Sequence, residues 1–248
     1  MSFDKSRANL RRDWSQLCRE RRFGVLLVFV LGLIIGPQIL LGFGASAGWF
    51  DGIVSVLVVA GISSLCFDRG SRVFVLLLGI PSVLFSAGGH ALTGQFSTSV
   101  LFVGHLCQVF FLFGAAVLIV TAIIRSQVIT VDSVSGALCG YLFLGLGWSV
   151  TCSMIETLSP GSFEMNQSLM QLHEQSRSLQ HVLVYYSFVT LTTLGYGDVT
   201  PVSPAARTFA WIEAASGQFY LAVIVAGLVS MLAANTTRLR GGGNADSD

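Results

Sequence analysis

Six long apolar runs dominate this sequence: Phe23–Phe43, Gly48–Phe67, Val73–Gly89, Ser99–Ile124, Ser133–Leu158 and Thr208–Ala234. A helix needs about 17–25 apolar residues to cross the hydrocarbon core of a bilayer, and each run reaches or approaches that length. Helix is the form such runs must take, because a backbone amide left unpaired in hydrocarbon costs several kcal/mol. Pro37 and Pro81 fall inside the first and third runs and are expected as kinks. A seventh stretch, His181–Thr193, has about 13 residues, too few to span, and reads as a re-entrant helix. Composition agrees: hydrophobic residues make up 53% of the chain and charged residues 11%, with a mean hydropathy of +0.73. The fold class expected is an all-α membrane protein with six transmembrane helices and one re-entrant segment. A net charge of +1 gives no electrostatic footprint for nucleic acid, so none is expected as a partner.

The positive residues alternate from loop to loop. Lys5, Arg7, Arg11, Arg12, Arg19, Arg21 and Arg22 crowd the arm before the first run. Arg69 and Arg72 follow the second run, Arg125 the fourth, and Arg238 and Arg240 the last. The loops Gly44–Asp51 and His90–Thr98 carry none, and only Arg177 and Arg207 fall on the other side. Positive loops stay inside, so six spans with both termini cytoplasmic are expected, in a bacterial-type inner membrane. Ala45-Ser46-Ala47 after a basic arm imitates a signal-peptide cleavage site, but the apolar run is longer than the usual 7–15 residues of such a signal. Within the arm, 1–22, Leu10, Trp14, Leu17 and Cys18 recur at helical spacing among arginines. They fit a helix lying on anionic inner-leaflet lipid; a disordered arm that only sets topology fits equally.

Catalytic constellations are missing from the sequence. Cys18, Cys66, Cys107, Cys139 and Cys152 are scattered without a CxxC or Cys/His ligand spacing. Gly42-Phe43-Gly44 lacks the third glycine and the preceding strand of a dinucleotide site. No nucleophile–base pairing or phosphate loop occurs either, so neither an enzyme nor an organic cofactor is expected.

Chemistry is carried by VTLTTLGYGDVTP, Val189 to Pro201, between the re-entrant stretch and the last run. Thr193-Leu194-Gly195-Tyr196-Gly197-Asp198 resembles the selectivity filter of the tetrameric potassium channel superfamily, usually Thr-Val-Gly-Tyr-Gly followed by Asp. Tyr185-Tyr186-Ser187-Phe188 before it resemble an aromatic pore helix. Leu194 replaces the common valine, and Val189 stands where many such channels carry a glutamate that pairs with the outer aspartate. The resemblance covers about His181–Ala234 and fades before it.

The resemblance implies that K⁺ exchanges its water shell for rings of backbone carbonyls, at Thr193, Leu194, Gly195, Tyr196 and Gly197. Gly195 and Gly197 allow the backbone angles this requires. Thr193 adds a hydroxyl at the inner mouth, and Asp198 attracts cations at the outer mouth. By the family pattern, Leu194 and Tyr196 turn away from the ion and pack behind the filter. One loop per chain implies a homotetramer. In the last run, Gly217 aligns with the family's gating hinge and Gly227 is a second candidate, although small residues in membrane helices also mark close packing. Glu213 is the one acidic residue well inside an apolar span, so a proton-sensitive or cation-attracting role stands beside a structural hydrogen bond to a neighbouring helix.

The layout is expected to divide into the arm, a four-helix bundle over 23–125, a pore domain over 133–234 and a flexible cytoplasmic tail over 235–248, and no nucleotide- or calcium-sensing domain is expected. Voltage-gated relatives carry about 3–4 gating charges in each subunit. The fourth run here has no lysine or arginine before Arg125, so a conventional voltage sensor is not expected. The expected function is passive, potassium-selective conduction. The alternatives are a weakly selective cation channel and a non-conducting, pore-like structural or regulatory subunit.

Overall fold

A computed structural model of the chain describes residues 22–42, 73–82, 84–85, 95–125, 130–167, 169–170 and 179–242. The second apolar run and the basic arm before Arg22 lie outside the described residues. The described chain is mostly helical. Its elements are α1 (Arg22–Gly42), a single π-helical turn (Val75–Gly79), α2 (Gln95–Arg125), α3 (Val131–Leu158), β1 (Phe163–Met165), α4 (Gln180–Leu191), β2 (Val199–Pro201) and α5 (Pro204–Gly242). Helix α1 continues through Pro37, and α5 runs on past the expected end of its apolar run at Ala234. Two stretches, Ser99–Arg125 and Val131–Leu158, are long and apolar enough to cross a membrane, and Phe23–Gly36 is a shorter apolar stretch.

Helix α3 is the hub. It starts on a reciprocal cap: Ser133 N donates to Thr130 Oγ1 at 3.2 Å, and Thr130 N donates to Ser133 Oγ at 3.3 Å. Both satisfy donors that a helix start otherwise leaves bare. Asp132 in the first turn of α3 serves another helix. Its Oδ1 accepts from Phe23 N at 2.9 Å and Gly24 N at 3.0 Å, which caps α1 from outside and brings the two helix starts together.

Along α1 the buried residues Phe23, Leu26, Val30 and Leu33 form one helical stripe, while Val25, Val28 and Phe29 are exposed. That stripe packs with Phe111, Leu112, Ala115, Ile119 and Ile123 of α2 and Ala137, Phe143 and Leu146 of α3. Lipid tails are as apolar as leucine, so fit between helices governs such contacts rather than water release. Glycines on α3 supply the fit. A Cβ on Gly145 would lie 2.6 Å from the Phe188 ring of α4, and one on Gly140 would strike the Tyr220 hydroxyl of α5. A second cluster, with Cys152, Ile155, Phe163, Leu183, Tyr186 and Val199, joins the far end of α3 to α4 and both strands.

Candidate functional site: the loop between α4 and β2

Helix α4 ends at Leu191, and the next residues turn back onto its last carbonyls. Thr193 N donates to Thr190 O at 2.9 Å, and Leu194 N and Gly195 N both donate to Val189 O, at 2.9 and 3.3 Å. The Thr192 hydroxyl donates to Phe188 O at 2.6 Å. Carbonyls that a helix end leaves unpaired are thereby satisfied, and the N–H groups of the loop point back toward the helix.

Beyond that point the backbone alternates. Thr193 has φ +59°, Gly195 +60° and Gly197 +75°, while Leu194 and Tyr196 between them stay at negative φ. Glycine takes positive φ without penalty. At Thr193 the same conformation costs roughly 1–2 kcal/mol, so its surroundings must impose it. Among the described residues, no carbonyl from Thr193 to Gly197 accepts a hydrogen bond. Leu194 is 55% exposed and Tyr196 66%, so the single chain does not cover the side chains expected to pack behind the filter.

The outer end of the loop is tied down on several sides. Asp198 accepts from the Tyr185 hydroxyl at its Oδ2, at 2.5 Å, and from Val199 N at its Oδ1, at 3.1 Å. Its backbone oxygen accepts from Asn166 N at 2.9 Å. The following residues pair antiparallel with β1, placing Phe163 opposite Pro201, Glu164 opposite Thr200 and Met165 opposite Val199. Helix α3 ends in a turn built on Glu156, whose carboxylate accepts from Gly161 N at 2.6 Å, Ser162 N at 2.9 Å and Phe163 N at 3.2 Å. The segment after α3, which lies outside the six apolar runs, thus contains the strand that braces the loop.

Comparison with known proteins falls on this same region. A family described as ion channel matches residues 169–234, from before α4 into α5. Over 47 residues the chain is 40% identical to two pore potassium channel c of Oryza sativa subsp. japonica, a match covering 19% of this chain and 10% of that protein. Residues 169–234 are thus similar to an ion channel family, and a part of the chain is similar to a potassium channel. No solved structure matches the chain. The chain spans about a tenth of the length of that curated relative.

Within the matched segment, Thr193, Leu194, Gly195, Tyr196 and Gly197 form one continuous irregular stretch that Asp198 closes. Glu213 and Gly217 lie behind it on α5, and Gly227 stands apart. Glu213 is fully buried, with Oε1 2.5 Å from the Ser187 hydroxyl of α4. Gly217 lies against the end of α4: a Cβ there would come within 2.3 Å of the Leu191 backbone oxygen. The same oxygen accepts from the Tyr141 hydroxyl of α3 at 3.3 Å. Around Gly227 nothing among the described residues lies within 4 Å of a built Cβ. Trp148 Nε1 donates to Ser216 Oγ at 2.9 Å, adding a polar tie between α3 and α5.

Sequence reasoning missed Tyr185, Ser187 and the Trp148–Ser216 pair. Tyr185 stands out only as one aromatic among several, because its partner lies on the far side of the loop. Ser187 had a readable signal: a lone glutamate in an apolar span calls for a polar partner, and Ser187 is a polar residue of the neighbouring short helix.

Proposed function

We propose that this chain is one subunit of a homotetrameric, potassium-selective channel that conducts K⁺ passively across a bacterial-type inner membrane. The observation that carries the reading is the alternating backbone of Thr193–Gly197 with its unclaimed carbonyls. Alternation of handedness turns successive carbonyls toward one side, where a strand would send them to opposite sides. Four such loops around an axis supply the rings of oxygen that replace the water shell of K⁺. The potassium relative and the matched ion channel family support conduction rather than catalysis.

Exposure of Leu194 and Tyr196 supports a filter completed by neighbouring copies. Irregular backbone at membrane depth is tolerated only where protein buries it or water lines it, and a tetrameric pore meets both conditions. The six-span topology with cytoplasmic termini rests on the arginine pattern. Asp132 capping α1 agrees with it, since the first and fifth spans then both start on the inner side. Conduction is not driven by a conventional voltage sensor, because α2 holds no lysine or arginine before Arg125. Membrane lipid, anionic at the inner leaflet, is the other partner this reading implies.

Purified protein in lipid vesicles under K⁺ or Na⁺ gradients tests the reading. Flux of K⁺ that barium blocks and that Gly195→Asp abolishes is the expected result. Equal Na⁺ flux would replace it with a weakly selective cation pore, and silence with a non-conducting subunit.

A further inference from the structure

Three oxygens meet where α3, α4 and α5 pack together behind the loop. Ser187 Oγ of α4 lies 2.6 Å from Gly145 O of α3 and 2.5 Å from Glu213 Oε1 of α5. Both separations sit at the short end of the O–H···O range, where each contact needs its own hydrogen. A single hydrogen shared between two acceptors gives longer contacts. The Gly145 carbonyl has no hydrogen to give, and the Ser187 hydroxyl has one. The second hydrogen must therefore come from the Glu213 carboxyl.

We infer that Glu213 is a neutral carboxylic acid that donates its proton to Ser187, while Ser187 donates its own to Gly145 O. The two protons run in one direction, from inner helix through pore helix to outer helix, and clamp the pore helix from both sides. The surroundings agree. Glu213 Oε2 is buried without a hydrogen-bond partner among the described residues. A bare carbonyl oxygen is a modest cost in a dry interior, whereas a bare carboxylate oxygen is a severe one. The titratable groups near enough to feel Glu213 from neighbouring helices are Cys152 of α3 and Tyr186 of α4. No cation among the described residues pairs with it.

Glu213 touches neither the loop nor the ion and is a positioning residue. Its place on α5 is one helical turn before Gly217, which abuts the last carbonyl of α4. The clamp thus sets how α5 lies against the helix from which the filter loop springs. Its effect on conduction rests on the channel reading above; the protonation state of Glu213 does not.

The test has two arms. Infrared spectra of wild type and Glu213→Gln at neutral pH, with and without ¹³C-glutamate, should differ by one protonated-carboxyl C=O band. That band should shift with the label. Vesicle flux forms the second arm. Glu213→Gln keeps an N–H donor in place of the O–H and should retain flux within about twofold, whereas Glu213→Leu and Ser187→Ala should each lose about tenfold or more. The double variant Glu213→Leu/Ser187→Ala should fall no further than either single one, since both break the same link. Absence of the band, or equal flux from Glu213→Gln and Glu213→Leu, would overturn the inference. If Glu213→Leu fails to assemble by size-exclusion chromatography, the infrared arm still decides. Wild type silent to K⁺ but showing the band would sink the channel reading and leave the proton assignment standing.

Discussion

Thr193–Gly197 and Val199–Pro201 are neighbours in sequence and opposites in structure. In the first stretch no carbonyl accepts a hydrogen bond among the described residues, and three of five residues sit at positive φ. The second is an ordinary strand, paired residue for residue with Phe163–Met165. One residue, Asp198, separates them and gathers bonds from Tyr185, Asn166 and Val199. A length of backbone with nothing bonded to its carbonyls holds its shape only when both ends are fastened. Here the inner end is fastened by N–H groups donating to the α4 carbonyls, and the outer end by a strand and a carboxylate.

Substitution inside the bare stretch should have the largest effect. Gly195→Ala puts a Cβ at φ +60°, costing roughly 1–2 kcal/mol per subunit. In the proposed tetramer four copies share one pore and multiply that cost, so K⁺ flux in vesicles should be lost while expression and membrane insertion persist. Retained flux would mean that the alternation at Gly195 is not needed for conduction.

The floor beneath the stretch comes next. Gly217→Ala drives a Cβ to within 2.3 Å of the Leu191 oxygen, a backbone atom with little freedom to retreat. Overpacking of this kind costs about 1–3 kcal/mol. Thermal stability of the purified channel should fall and conduction with it. Gly227→Ala, on the same helix with nothing among the described residues within 4 Å of a built Cβ, should change stability little. Comparing the two separates close packing from hinge motion: a hinge at Gly227 would show as altered single-channel open probability without lost stability.

At the outer fastening, Tyr185→Phe deletes the hydroxyl that donates to Asp198 and leaves the ring in place. Hydrogen bonds to a charged group are worth about 1.5–3 kcal/mol, and the partial exposure of Tyr185 and Asp198 brings this one toward the lower bound. Faster decay of K⁺ current during sustained opening, at unchanged single-channel conductance, is the expected outcome. Asp198→Asn should decay the same way if the hydroxyl acts only through the carboxylate.

The length of the apolar runs made the helices legible in the sequence, because α2 and α3 each hold a stretch long and apolar enough to cross a membrane. The loop was legible for a different reason: Gly-Tyr-Gly-Asp is a local pattern whose backbone requirements sit in the residues themselves. What stayed hidden was pairing across sequence distance. Nothing in Phe163-Glu164-Met165 announces a strand, since three residues carry too little alternation to be read. Both Gly217 and Gly227 stand in the sequence as hinge candidates, and the approach of α4 shows close packing at Gly217. Asp132 reads as an ordinary first-turn acid of α3, yet its acceptor oxygen serves α1.

That last contact yields the smallest effect and the most distant from the pore. Asp132→Ala leaves Phe23 N and Gly24 N of α1 without their side-chain acceptor and removes no side chain from the loop region. Loss of a cap typically costs about 1 kcal/mol. The Thr130–Ser133 cap of α3 would remain intact, so the damage should stay with the packing of α1. Melting of the purified protein should shift down by a few degrees, on the order of what about 1 kcal/mol does in a domain of this size. K⁺ selectivity should not change, because both fastenings of the bare stretch are untouched. A selectivity change in this variant would show that the α1 contact and the loop are coupled through α3, and that the hub transmits strain as well as holding its neighbours apart.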